Sequence, residues 1–227
     1  MKVEIWSDVV CPWCYIGKRR FEKALEEFEH KGEVEIIYRS FELDPNAPAK
    51  IEGSLDEMLA SKYGRSLEEA RQMNAQVTEA AKGEGLKYRL DQAQHGNTFN
   101  AHRLLQFAKS QGRQPELKEG LMRGYFTEGM PLHDVDVLVE KAVQAGLDEA
   151  RSRSVLEGDE FTSEVQTDQQ TAREIGASGV PFFVFGQKYA VSGAQPQELF
   201  LEVLEKTWEE TQPVAAAGAA GGSAGTD

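Results

Sequence analysis

The stretch Ser7-Asp8-Val9-Val10-Cys11-Pro12-Trp13-Cys14-Tyr15-Ile16-Gly17 decides how the whole chain is read. Upstream of it, Lys2 to Ser7 alternates polar and apolar residues and ends at Asp8, as a short strand does. Downstream, Ile16, Arg20, Phe21, Leu25 and Phe28 recur at three-to-four spacing, the period of a helix with one buried face. Pro12 suits the first helical turn, where its missing N–H leaves nothing unpaired. Gly32 is the expected stop of this helix, and Val34 to Tyr38 reads as a second strand. The unit is β-α-β, with both cysteines at the start of its helix.

Cys11 and Cys14 are the only cysteines in the chain. A disulfide scaffold would scatter its cysteines to close long loops. A zinc site would need further Cys or His ligands at tight spacing. His30, His95, His102 and His133 are isolated from one another, so no metal is expected. The pair points instead to thiol–disulfide exchange, in which one thiolate attacks and a neighbouring thiol resolves the mixed disulfide. Cys11 is the expected nucleophile, because the N–H groups of the helix start converge on it. Such placement brings thiol pKa values to roughly 3.5–7.5. Lys18, Arg19 and Arg20 lie too far along the helix to dominate, and Asp8 acts the other way. Cys11 is expected to be the accessible thiol, with the resolving Cys14 tucked against the helix. Trp13 and Tyr15 are expected to offer an apolar surface to unfolded or peptide substrates.

Beyond the first unit the pattern turns helical. Ser54-Leu55-Asp56-Glu57 and Ser66-Leu67-Glu68-Glu69 both fit the capping box that opens a helix. Further helical patterns follow at 98–111, 115–128, 135–145 and 148–157, punctuated by glycines. Five or six helices without an intervening strand imply an all-helical insertion over 53–160. Another helix runs from Thr162 to about Ile175. Gly179-Val180-Pro181-Phe182-Phe183-Val184-Phe185 then reads as a strand opened by a proline, Gly186-Gln187 as a turn, and Lys188 to Ser192 as the returning strand. Pro196 opens a last helix with Leu199, Phe200, Val203, Leu204 and Trp208 on one face. Segments 1–52 and 161–212 thus form one discontinuous α/β domain of about four strands. The segment 213–227 is almost wholly Ala, Gly and Ser and is expected to be a disordered tail.

The chain of 227 residues is 40% hydrophobic and carries a net charge of -13. That surface repels phosphate backbones and anionic lipid, so neither nucleic acid nor membrane is an expected partner. No stretch approaches the roughly 18 uncharged apolar residues of a transmembrane span. The N-terminal residues lack the apolar core of a secretory signal, so a cytoplasmic protein is expected.

The dithiol β-α-β unit, the helical insertion and the later Val-Pro-Phe-Phe-Val resemble the thioredoxin superfamily, most of all its DsbA-like branch. Ser7 to Gly17, Phe41-Glu42-Leu43-Asp44-Pro45 and Asn100-Ala101-His102-Arg103-Leu104 are similar to the FrnE-type cytosolic oxidoreductases. The resemblance covers about residues 1–210. It implies a thioredoxin fold with an inserted all-helical subdomain, a cis peptide before Pro181 facing the cysteines, and pairing of the Val180 backbone with substrate. Pro12 and Trp13, between the two cysteines, are expected to contact substrate as well. The chain departs from its relatives in two ways. Pro12-Trp13 stands where the periplasmic oxidant has Pro-His and thioredoxin has Gly-Pro, so no redox potential carries over. The second cysteine pair of some FrnE-type proteins is absent.

His102 is a third candidate, either lining the cleft to assist proton transfer or packed and bonded to backbone. His95 and His133 adjoin loops and are expected to be solvated, and Glu42 and Asp44 to serve turns or caps. The leading reading is an oxidoreductase of protein or peptide thiols and disulfides, monomeric or homodimeric. It binds no cofactor, and glutathione or a dithiol serves as redox co-substrate. One rival is a glutathione-dependent transferase or isomerase like the kappa-class transferases and hydroxychromene-carboxylate isomerases. Those place serine where this chain has Cys11. Another rival is a non-catalytic client-binding module with an apolar cleft around Trp13 and Phe182.

Overall fold

The computed structural model describes residues 1–211. The expected tail at 213–227 lies outside them. Strand β1 (Lys2–Ser7) leads through Asp8–Cys11 into α1 (Pro12–Glu27), and β2 (Glu35–Ser40) follows. The helix ends before Gly32, which falls in a 3-10 turn at Lys31–Glu33. Phe28 already has extended backbone at the α1 C-cap, as its side chain turns into the core.

Six helices come next: α2 (Leu55–Tyr63), α3 (Leu67–Gly83), α4 (Phe99–Ser110), α5 (Gln114–Glu128), α6 (Val135–Gln144) and α7 (Glu149–Glu157). Both capping boxes form, with the Ser54 and Ser66 hydroxyls accepting from the Glu57 and Glu69 N–H groups at 3.2 Å. Helix α8 (Thr162–Glu174), strands β3 (Phe182–Phe185) and β4 (Tyr189–Ser192), and α9 (Gln197–Thr211) complete the order. Gly186 and Gln187 both have positive φ, which the tight β3–β4 turn requires.

The strands form one mixed sheet in the order β2-β1-β3-β4, with β1 parallel to β2 and antiparallel to β3. Central β1 is covered on both faces. Val3 and Ile5 join Phe21, Phe183, Phe185, Phe200 and Leu204 in a core under α1 and α9. On the opposite face Trp6 packs with Ala172 and Ala177, and its indole N–H donates to the Asp168 carbonyl of α8 at 2.8 Å. A second core fills the helical insertion and reaches Cys11, Cys14, Tyr15 and Ile16. The cysteines therefore sit on the seam where the insertion packs against the sheet domain. Register fixes the rest: Trp6 pairs with Phe182, which sets Val180 and Pro181 beside the C-terminal end of β1. Helix α4 is buried on every side from Ala101 to Ala108, so it has no solvated face.

Candidate active site

Cys11 is the N-cap of α1, Pro12 its first residue, and Cys14 lies in its first turn. Both cysteines are free thiols. The Val180–Pro181 peptide is cis, and the Cys11 thiol donates to the Val180 carbonyl at 3.5 Å. Pro181 packs on Gly17, where a Cβ would stand 2.9 Å from the proline ring. That close approach explains a glycine inside α1.

Cys11 is only 4% exposed and Cys14 2%, so the expectation of an outer, accessible Cys11 is corrected. The thiol instead lines a cavity of about 390 Å³ between the sheet domain and α2–α3. The neighbouring Cys14 thiol, burial and the Asp8 charge hold the Cys11 thiol well above its ordinary value, against the Cys14 backbone N–H that draws it down. The helix terminus does not win in the reduced pair, contrary to the sequence-based expectation. Lys18, Arg19 and Arg20 add little field there because each is already paired: Lys18 and Arg19 with Glu22 and Glu119, Arg20 with Glu84. Glu119 resists the pull of burial through Arg19, Lys18 and Tyr15, and its carboxyl is held down at about 2.

The remaining candidates separate. Pro12, Trp13 and Val180 line the cavity, and Trp13 is 45% exposed at its edge. Tyr15 is no substrate surface: it is buried, stacked on Tyr88 and Phe126, and donates to Glu119. Phe182 packs edge-on against Trp6 and is absent from the cavity wall. His102 does not line the cavity and its ring bonds a side chain, not backbone. It is 1% exposed, with Nε2 3.2 Å from Asp8 Oδ1. Burial would raise the Asp8 carboxyl, but His102, the Leu43 N–H and Lys118 together hold it below its ordinary value. His95 is buried, not solvated. It is bonded to the Tyr125 hydroxyl, lines the cavity, and is lowered to about 4 by burial. His133 is half-buried with an unpartnered Nδ1. Asp44 keeps the expected turn role through the Asn46 N–H, whereas Glu42 is buried, bonded to Gln169, and raised by burial.

Lys118 is the residue that motif reading missed. It is 1% exposed, and its ammonium donates to the Ser7 carbonyl at 3.3 Å. Burial lowers it to about 8, opposed by the negative charges of Cys14, Asp8 and Cys11. A signal was present: Lys118, Leu121, Met122 and Tyr125 recur at helical spacing, which puts a lysine on the apolar face of α5. Among the described residues no cluster of three or more metal-ligating side chains occurs.

A vicinal dithiol at a helix N-terminus, set against a cis X-Pro turn at the end of a mixed sheet, defines a dithiol site of the thioredoxin type. The chain belongs to the DSBA-like thioredoxin domain family, whose model matches residues 2–205. It is therefore a member of a family of thiol oxidoreductases. The crystal structure of a probable DsbA oxidoreductase from Streptomyces coelicolor is similar over 96% of this chain and 94% of that one, at 45% identity and a TM-score of 0.90. The uncharacterized protein YwbO of Bacillus subtilis is 25% identical over 87% of this chain and 92% of its own length. The cytosolic disulfide reductase DsbM from Pseudomonas aeruginosa, also solved with glutathione, shares the fold at 14% identity and a TM-score of 0.65, over 93% of this chain and 100% of that one. No described helix is long and apolar enough to cross a membrane.

Proposed function

We propose that the protein is a thiol–disulfide oxidoreductase in which Cys11 attacks the substrate disulfide and Cys14 resolves the mixed disulfide. The observation that carries this reading is the placement of Cys11: N-cap of α1, within 3.5 Å of the Val180 carbonyl, and open to the cavity. Thiolate attack forms a bond from Cys11 to one substrate sulfur and expels the other sulfur as a thiolate. Cys14, one turn on, then attacks the Cys11 sulfur and releases the second thiol. Thiol and disulfide compounds are the proposed substrates, with glutathione or a dithiol resetting the pair. In a reducing, cytoplasmic setting the dithiol works in the reductive or isomerising direction.

Equilibration with glutathione redox buffers, followed by Trp fluorescence, tests the reading. The expected result is one two-electron transition, at or below the glutathione poise of about -220 to -320 mV. Cys11→Ser is expected to abolish exchange and Cys14→Ser to accumulate the mixed disulfide. Intact thiols with no transition would overturn the reading in favour of a glutathione-dependent transferase or isomerase.

A further inference from the structure

We propose that the disulfide on which Cys11 acts carries an apolar, low-molecular-weight arm that lodges in the cavity beneath α2 and α3. This rests on exchange at Cys11 and adds the class of substrate.

Access is the first ground. A disulfide within a polypeptide has chain on both sides and needs a sulfur near the surface. Cys11 is 4% exposed and borders a cavity of about 390 Å³. Pockets of roughly 300–1,000 Å³ are the usual size for small molecules.

Helix α2 is the second ground. Leu55, Met58 and Leu59 recur at helical spacing and line the cavity, yet the helix has no fully buried residue and packs chiefly on α3. Its apolar stripe thus faces a space that no other side chain fills. Four of the exposed large apolar residues, Trp13, Leu43, Tyr63 and Met73, also border that space. An apolar occupant would remove from water the part of this surface that borders the cavity.

Charge is the third ground. Lys62 is the one lysine or arginine among the described residues lining the cavity, where Asp8 and Asp44 are also present. A thiol with two carboxylates, such as glutathione, finds little there to neutralise it. The His95–Tyr125 pair supplies a polar spot that can take a single hydrogen-bonding group.

The step balances as follows. The Cys11 thiolate attacks one sulfur of R–S–S–R, the S–S bond breaks, and the departing thiolate takes up a proton. Cys14 then expels the second R–S⁻, which is protonated in turn, leaving a Cys11–Cys14 disulfide. A dithiol reductant restores both thiols, so two electrons pass from the dithiol to R–S–S–R.

The test compares dibenzyl disulfide, bis(2-hydroxyethyl) disulfide, glutathione disulfide and insulin with dithiothreitol as reductant. Each kcat/KM is divided by the uncatalysed rate. The dibenzyl value is expected to exceed the hydroxyethyl value by roughly 10–200-fold, the range that small apolar groups supply in a fitted pocket. Leu59→Lys and Ala47→Phe, each verified as folded by its melting temperature, are expected to cut that ratio about tenfold. A ratio unchanged in both variants would overturn the proposal, as would glutathione disulfide or insulin matching dibenzyl disulfide. In either case exchange at Cys11 would stand. Failure to turn over any of the four would instead sink the exchange reading itself.

Discussion

The Asp8 carboxylate and the His102 imidazole meet at 3.2 Å, each 1% exposed, where Asp8 opens the loop that carries Cys11. One partner comes from the end of β1 and the other from α4, so the contact ties the helical insertion to the sheet domain. Asp8 Oδ2 also accepts from the Leu43 N–H at 2.8 Å and so fixes the segment after β2. Removing one partner of a buried hydrogen bond leaves part of the other group's bonding unmet and costs about 1–3 kcal/mol. His102→Ala is expected to lose about that much in urea unfolding, and Asp8→Ala likewise. The double variant should lose clearly less than the sum, since both changes remove one interaction. Strict additivity would show that the two groups do not depend on each other.

The Asp8 shift also sets an acid limit. Its carboxyl is held below the ordinary value in the fold, so its contribution is present above the unfolded value of about 3.9 and is lost as pH falls through the folded one. Asp8→Asn should flatten the loss of stability in that acid window. An unchanged acid limb would place the acid-sensitive group elsewhere.

Lys118 gives the opposite slope. Burial lowers its folded pKa to about 8, whereas an unfolded lysine titrates near about 10.4. Between those values the unfolded chain binds more protons, so stability should rise with pH across that window. Below about 8 the full penalty applies, roughly 3 kcal/mol. Lys118→Met should therefore be more stable near neutrality and show a flatter curve from about pH 8 to 10. It should also slow alkylation of the cysteines by iodoacetamide, because their thiolates lose the positive charge of Lys118. A less stable variant with an unchanged slope would mean that the ammonium is well compensated where it sits.

What could be read from the sequence was local. The β-α-β unit declared itself through a proline at N1 and a three-to-four period, and both capping boxes formed where Ser and Glu stood three apart. Contacts between distant segments were not legible. Nothing near Arg103 in sequence says that its guanidinium binds the carbonyls of Val155, Gly158 and Glu160 at the end of α7. His95 looked solvated because it lies in a loop. That loop is pinned to residues 48–51 by the Asn97 N–H to Pro48 and the Ile51 N–H to His95, and is thereby buried. Motif and spacing named the two thiols, but their burial comes from the core of the helical insertion, which reaches them from distant segments.

Helix α2 depends on its cap more than its neighbours do, since it buries no residue completely. Ser54→Ala removes a hydroxyl that satisfies the Glu57 N–H and is expected to cost about 1 kcal/mol. The loss should appear as faster amide exchange confined to α2, with global unfolding nearly unchanged. Protection lost equally across α3 to α7 would show that α2 unfolds only with the whole insertion.

Gly17 offers the most direct test of how the cis-proline turn is seated. Alanine is the better helix former by about 1 kcal/mol, so propensity alone predicts that Gly17→Ala stabilises α1. Packing predicts the reverse. The new methyl would stand 2.9 Å from the Pro181 ring and 3.4 Å from the Ala194 Cα, and neither neighbour is the flexible end of a side chain. Overpacking of this kind costs about 1–3 kcal/mol, which should outweigh the helical gain. The same displacement would move Val180 away from the Cys11 thiol, so kcat/KM for exchange should fall along with the melting temperature. A variant that melts higher and exchanges as fast would show that Pro181 can shift without consequence, and would remove the steric reason given for a glycine at this position.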